Sequence, residues 1–341
     1  MKTSRYAQET ARQGLYLIAE AGSNHNGSLR EAKRLVSLAA EHGADAVKFQ
    51  LFSAKTLMQA DVLGKLLGLE QGWTGTVKKL EFPLAWLPVL KRLADRAAID
   101  FLCTPFDEKR LTALLEVHPP AIKISSGDCT HYRLLEQAAA SGLPVILSTG
   151  ASTDDEIQAA VSICGRETTA LLQCVMRYPA KASAYNPSFM ARLVQYAPVV
   201  GISDHTEGGL AAARAVLDGA IIVERHFTRS RRQSGADHAM STEPDAFSSL
   251  RELLLESLRA RMEGVVETGD EAERVYARRG MYCQRKIAQG DMFDHDNCIA
   301  LRPAIPEAVP ASEYRQVMGK KAKRAYDAGD PVLKDEIEKE A

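Results

Sequence analysis

The sequence predicts an α/β chain: a (β/α)8 TIM barrel followed by a small β-rich domain. Three observations point there. Short apolar runs alternate with amphipathic segments eight times over about 260 residues. Lysine, glutamate, serine and threonine recur at the C-terminal ends of those runs, and the alternation stops after residue 265. A doubly wound sheet is the alternative, but it does not ordinarily need eight such even repeats.

The predicted strands are LYLIAE (15–20), DAVKFQ (45–50), IDFLC (99–103), AIKIS (121–125), PVILS (144–148), ALLQC (170–174), PVVGI (198–202) and AIIVE (220–224). A helical pattern follows each. SLREAKRLVSLAAEHG is the clearest, with Leu35, Leu38 and Ala39 on one stripe and Gly43 as the stop. The last helix begins at TEPDAF, where Thr242 and Asp245 fit a capping box ahead of Phe247, Leu250, Leu254 and Leu258. The stretch 51–98 is longer than one helix requires, and an insertion there is expected to lie over the catalytic end of a barrel. The barrel is therefore assigned to 1–265, a charged linker to 266–279, and a module to 280–341. Within that module IAQGDMFDHDNC (287–298) and YDAGDPVLKDEI (326–337) share one frame, so Gly-Asp turns between short strands are expected.

Composition narrows the function. A net charge of −1 argues against a nucleic-acid or anionic-membrane footprint. No apolar run reaches the ~18 residues of a membrane helix. The opening MKTSRYAQETARQG has no apolar core of the secretory kind. Six scattered cysteines without a CxxC read as buried, reduced thiols, so a cytoplasmic protein is expected.

Period-two alternation assigns faces. Val47 and Phe49 point to the helices, which leaves Ala46, Lys48 and Gln50 for the lumen; Ile18 and Glu20 share a face, as do Lys123 and Ser125. Lysines at a barrel mouth need a counter-charge. Lys48 and Lys123, with the hydroxyls of Thr104, Ser126 and Ser148, suit a small phosphate-bearing carboxylate, and neither a P-loop nor a GxGxxG is present. His205 in SDHT and His226 in ERHFT end the seventh and eighth strands. One such histidine is more often structural than a ligand. Two on neighbouring strands, about 4.8 Å apart, converge on a six-coordinate divalent ion such as manganese.

IAEAGSNHNGSLREAKRLVSLAAEHGADAVKFQLF, FLCTPFD, IKISSGD, ILSTGAS, GISDHT, ERHFT and GADHAMSTEPDAF together resemble the sialic acid synthase family, the makers of N-acetylneuraminic, legionaminic and pseudaminic acids. GMYCQRKIAQGDMF, NCIALRP and GKKAKRAYDAGDPVL resemble the family's antifreeze-like (SAF) C-terminal domain. The resemblance implies condensation of phosphoenolpyruvate with the open-chain aldehyde of an N-acylated hexosamine, with release of phosphate. It implies manganese on His205 and His226, with magnesium or cobalt as alternatives. It places Lys48, Thr104, Lys123, Ser126, Ser148, Ser203 and Arg278 on phosphoenolpyruvate, and Glu20, Gln50, Tyr178 and Asp237 near the sugar. Glu20 becomes the candidate for proton transfer, and Asp204 the residue that orients His205. It further implies a domain-swapped homodimer in which Arg302 reaches the partner's sugar site; without the resemblance Arg302 reads as a solvated surface arginine.

Three departures from the family pattern stand out. QCVMRYP replaces something like HCTSxYP and brings Gln173 and Met176 to usually polar positions, beside Arg177. ERHFT replaces EKHFT, and CTHY follows SSGD. Two other readings stay open: a 3-deoxy-sugar acid synthase acting on a phosphorylated aldose, and a non-catalytic relative from a surface-polysaccharide locus.

Overall fold

The computed structural model describes residues 5–12, 14–68, 73–263 and 270–337. The chain divides into two compact units, Met1–Gly264 and Val265–Ala341. In the first, eight parallel strands form one sheet: β1 (Tyr16–Gly22), β2 (Ala46–Leu51), β3 (Asp100–Pro105), β4 (Ile122–Ile124), β5 (Val145–Ser148), β6 (Thr169–Cys174), β7 (Val199–Asp204) and β8 (Ile222–His226). Hydrogen bonding runs in the order β3-β2-β1-β8-β7-β6-β5-β4, and β3 and β4 lie side by side to complete the barrel. All eight strands expected from the sequence are present, most of them beginning or ending a residue or two later than read.

Strands buried on both faces need apolar residues at nearly every position, and two separate cores result. Val47, Phe49, Phe101, Leu171 and Val223 pack outward against the helices, whereas Tyr16, Ile18, Ala46, Leu102, Ile146, Ala170, Leu172 and Ile222 fill the lumen. A short helix, Arg5–Arg12, closes the lower end: Tyr6 packs edge-on against Tyr16 at 5.4 Å, and its backbone N–H donates to Asp100 at 2.8 Å. The lumen thus has apolar lower layers and a polar top.

The helix Leu29–Glu41 follows the predicted stripe, with Ser28 as its N-cap and Ala32, Leu35, Val36 and Ala39 buried. The last barrel helix, Pro244–Glu263, buries Phe247, Leu250 and Leu254. The capping box expected there gives way to other bonds. The Thr242 hydroxyl accepts from Arg225 Nε at 3.0 Å, and Asp245 points into solvent. The stretch after β2 holds short helices at Ala54–Leu57, Ala60–Leu67 and Trp73–Lys79; residues 69–72 of that insertion lie outside the described residues, as do 264–269 of the expected linker.

The second unit has its own core, built on Met281, Ile287, Phe293, Val317, Tyr326 and Val332. Its two-stranded antiparallel sheet joins β9 (Gly280–Cys283) to β10 (Cys298–Leu301). The internal repeat is a structural one. Asp291 accepts from the Ala288 N–H and Asp330 from the Asp327 N–H, each at 3.0 Å, beside Gly290 and Gly329 at φ +90° and +94°. Ile287 and Tyr326, at matching places in the two copies, exchange both backbone hydrogen bonds. Residues 270–279, read as linker, include the helix Glu271–Ala277, which Asp270 and Glu273 cap reciprocally.

Candidate active site

The site is the polar top layer of the lumen. Glu20 on β1 stands beside Lys48 on β2 and His226 on β8 in the strand register, and Ser203 on β7 stands beside Glu224 on β8. Two glycines make the convergence possible. A Cβ on Gly201 would lie 2.2 Å from the Ile222 carbonyl, so only glycine lets β7 and β8 approach here. At Gly22, with φ +50°, a Cβ would lie 3.0 Å from Glu20 Oε1, 3.3 Å from Gln50 Nε2 and 3.5 Å from Asp237 Oδ2.

Eleven of the residues expected from the sequence line one cavity of about 380 Å³: Glu20, Lys48, Gln50, Thr104, Lys123, Ser126, Ser148, Tyr178, Ser203, His205 and His226. Asp237 lines an adjoining cavity of about 610 Å³, which shares Gln50, Leu57, Tyr178 and His226 with the first. Ser23 donates to Asp237 at 2.9 Å. Arg278 and Arg302 are exposed residues of the second unit.

The floor is a charge cluster that carries its own counter-ions. Lys48 Nζ lies 2.6 Å from Glu20 and 3.5 Å from Glu224, and it donates to Thr104 Oγ1 at 3.2 Å. Lys123 Nζ donates to Ser148 Oγ at 2.7 Å and to the Ile124 carbonyl at 2.8 Å, with Glu224 at 4.0 Å. Ser203 donates to Glu224 at 3.0 Å, and Gln50 donates to Glu20 at 3.1 Å. All four charged groups are buried. The protonation balance follows from burial set against neighbours. Burial would raise the Glu224 carboxyl, but the ammoniums of Lys48 and Lys123 outweigh it and hold the group at about 2. Burial pulls both lysines down. At Lys48 the attraction of Glu20 and Glu224 wins and the group is raised; at Lys123 burial wins, aided by Lys48, and the group is lowered.

Glu224 is the residue that sequence reasoning missed. The signal was present, since Glu224 lies two positions before His226 and so shares its lumen face. Cys174 is a second omission; it too lines the cavity, with its sulfur 3.9 Å from His205 Nδ1.

His205 and His226 face one another with ring centroids 5.4 Å apart, and Tyr178 covers both, at 4.1 Å from His205 and 5.8 Å from His226. His205 Nδ1 donates to the Val175 carbonyl at 2.8 Å, which leaves the Nε2 lone pair free. Burial and the neighbouring His226 lower His205 to about 4, so it is neutral. His226 Nδ1 and one oxygen of Glu224 are buried without a hydrogen-bond partner. Two facing imidazoles, His205 with a free Nε2 lone pair and His226 with an unpartnered ring nitrogen, are a donor pair that fits a divalent ion. Among the described residues no group of three or more His, Cys, Asp or Glu side chains forms a complete protein cage, so such an ion would draw its other ligands from substrate and water.

The structure corrects two expectations, for Asp204 and for Gln173. Asp204 does not orient His205: it accepts from the Thr206 N–H at 2.8 Å and pairs with the buried guanidinium of Arg225, and the Val175 carbonyl does the orienting. Gln173 is turned away from the lumen, and its amide bonds both the N–H (2.8 Å) and the carbonyl (3.1 Å) of Asn186, where the next helix begins. Met176 does line the cavity, at its exposed rim, whereas Arg177 points to solvent.

Comparison with known proteins places this architecture. The model of the NeuB family matches residues 35–265. The N,N'-diacetyllegionaminic acid synthase of Campylobacter jejuni is 33% identical over 91% of this chain and 96% of its own, and that of Legionella pneumophila is 32% identical over 95% and 94%. The crystal structure of the N-acetylneuraminic acid synthetase of Leptospira borgpetersenii, 34% identical, superposes with a TM-score of 0.68 over 76% of this chain and 89% of its own. Among the described residues no helix is long and apolar enough to cross a membrane.

Proposed function

The chain belongs to the NeuB family, and we propose that it is a condensing synthase that joins phosphoenolpyruvate to an N-acylated hexosamine aldehyde, giving a nonulosonic acid and phosphate. One observation carries the reading. Two buried lysines and four hydroxyls, from Thr104, Ser126, Ser148 and Ser203, converge at the C-terminal mouth of the barrel, directly beside the paired histidines and a second, larger cavity.

Each part has a task. The ammoniums and hydroxyls at the floor suit the phosphate and carboxylate of phosphoenolpyruvate. The larger cavity offers Phe52, Leu57, Met58 and Leu80 to the methyls of an acylated sugar, and Gln50 and Asp237 to its polar groups. Held in this way, C3 of phosphoenolpyruvate bonds to the aldehyde carbon, water adds at C2, and the C2–O bond breaks to release phosphate. Glu20, fixed by Lys48 and Gln50 at the junction of the two cavities, is the group that exchanges a proton with the reacting oxygens. A manganese ion on His205 and His226, with magnesium or cobalt as alternatives, supplies Lewis-acid polarisation of the aldehyde oxygen when bound. The proposal extends to a homodimer, on the strength of the C-terminal resemblance.

The test is phosphate release from phosphoenolpyruvate by metal-stripped protein, with and without manganese, offered N-acetylmannosamine and a 2,4-diacetamido-6-deoxyhexose in turn. Manganese-dependent release with either acceptor supports the reading. Release only with a phosphorylated aldose would replace it with the 3-deoxy-sugar reaction. Silence from folded protein across all acceptors would mark a non-catalytic relative.

A further inference from the structure

We infer that Cys283 and Cys298 form a dithiol built to close a disulfide across the two-stranded sheet of the C-terminal unit, and that this pair is a covalent modification site of the protein. The inference stands apart from the proposed reaction and needs no part of it.

The geometry is specific. Cys283 on β9 and Cys298 on β10 are direct register partners in an antiparallel pair. The Gln284 N–H donates to the Asn297 carbonyl at 2.7 Å, so the neighbouring 283–298 pair is the non-hydrogen-bonded kind. Both cysteine N–H groups accordingly point out of the pair, to the Asp330 carbonyl (2.8 Å) and the Asp294 carbonyl (3.1 Å). Non-hydrogen-bonded antiparallel partners have Cα atoms about 4.5 Å apart, within the range of about 4.4–6.8 Å that a disulfide spans. Both side chains turn into the same core, beside Met281 and Val332. The remaining cysteines, at 103, 129, 164 and 174, belong to the barrel unit.

The thiols already interact. Hydrogen bonding between the two sulfurs raises Cys283 and lowers Cys298. Cys298 is also the more accessible, at 6% against 1%. With a low-molecular-weight disulfide such as glutathione disulfide as oxidant, the Cys298 thiolate attacks one glutathione sulfur and releases one glutathione thiol. The Cys283 sulfur then attacks Cys298 in the mixed disulfide and releases the second. Two S–H bonds are lost and one S–S bond forms, while two electrons and two protons end on the two glutathione molecules.

The closed loop holds the fourteen residues between the two cysteines and contains the first Gly-Asp turn of the repeat. A cross-link of that length is expected to raise the unfolding temperature of this unit by about 10 °C or more. The experiment takes the full chain through a series of glutathione redox buffers, both folded and during refolding from urea, then traps free thiols and maps the peptides by mass. A 283–298 link is expected in both arms at oxidising poise, with the upward thermal shift; Cys298→Ala is expected to lose the link and the shift alike. The inference fails if both cysteines remain free to alkylate in both arms. It also fails if they end as separate glutathione adducts, or pair with barrel cysteines on refolding.

Discussion

Replacing Glu224 with glutamine tests the charge cluster at its centre. Glu224 is the carboxylate shared by both lysines, at 3.5 Å from Lys48 and 4.0 Å from Lys123. Opposite charges about 4 Å apart attract by about 4 kcal/mol at an effective dielectric of about 20. Desolvation offsets much of that in the intact pair, but removing one partner leaves the other buried and uncompensated, at about 3–5 kcal/mol. Lys48 keeps Glu20 at 2.6 Å, so the damage falls on Lys123, whose nearest carboxylate is gone. Lys123 is already held below its ordinary range by burial and can shed its proton instead of staying charged, and the glutamine oxygen can still accept from Ser203. The low end, about 3 kcal/mol, is therefore expected. Urea unfolding of the full chain near neutral pH, followed by circular dichroism, should show the barrel transition at a lower midpoint with unchanged slope. Titration of phosphoenolpyruvate in the phosphate-release assay should show a KM at least tenfold higher, because Lys123 no longer offers a full charge. A variant that unfolds at the wild-type midpoint and keeps the wild-type KM would refute the account of Glu224 as the common counter-ion.

His25 sits among Phe49, Phe82 and Trp86, and burial lowers it to about 4 from its ordinary 6.5. The unfolded chain binds this proton first, so stability falls as pH drops from 6.5 toward 4, by about 3 kcal/mol in all; His25→Phe should flatten that limb in pH-dependent urea melts, and an unchanged slope would reject it. Asp204→Ala strands the buried Arg225 guanidinium and should cost about 3–5 kcal/mol, with Arg225→Met in the same chain recovering most of the loss. Gly22→Ala forces a β-carbon into a left-handed residue and against Glu20 and Gln50; it should cost about 1–2 kcal/mol in a thermal melt and raise the KM of the acceptor more than that of phosphoenolpyruvate.

The barrel was legible because its signals are local. Alternation marks which residues of β1, β2 and β4 share the lumen, and it put Glu20, Lys48 and Lys123 there correctly. Failures came where the decisive partner is distant in sequence. The Thr242 hydroxyl binds Arg225 instead of capping a helix, and Asp204 spends its carboxylate on the same guanidinium. Glu224 escaped notice because AIIVE reads as one apolar run with a polar end; its meaning depends on ammoniums contributed by two other strands. Gln173 misled for the opposite reason. It follows a lumen residue, Leu172, and so faces the helices, where it anchors Asn186.

The charge balance of the floor carries one more consequence. Lys48 and Lys123 are matched by Glu20 and Glu224, so the cluster is close to neutral before any ligand arrives. Phosphoenolpyruvate brings about three negative charges, two of them on its phosphate. Transferring that charge into a buried lumen is costly unless cations compensate it there. The lysines are already committed, Lys123 is lowered by burial, and Arg177 points away. His205, lowered by burial, contributes no charge of its own. A divalent ion at His205 and His226 would supply the missing charge, so phosphoenolpyruvate and metal should bind cooperatively, each tightening the other by the same factor. Calorimetry should show phosphoenolpyruvate affinity at least tenfold higher with manganese than in stripped protein, and manganese affinity should rise equally when phosphoenolpyruvate is present. His226→Ala should abolish this linkage while leaving the weak, metal-free affinity intact. Equal affinity with and without the ion would mean that the lysines are free enough to bind the anion unaided, and that the neutral-floor argument is wrong.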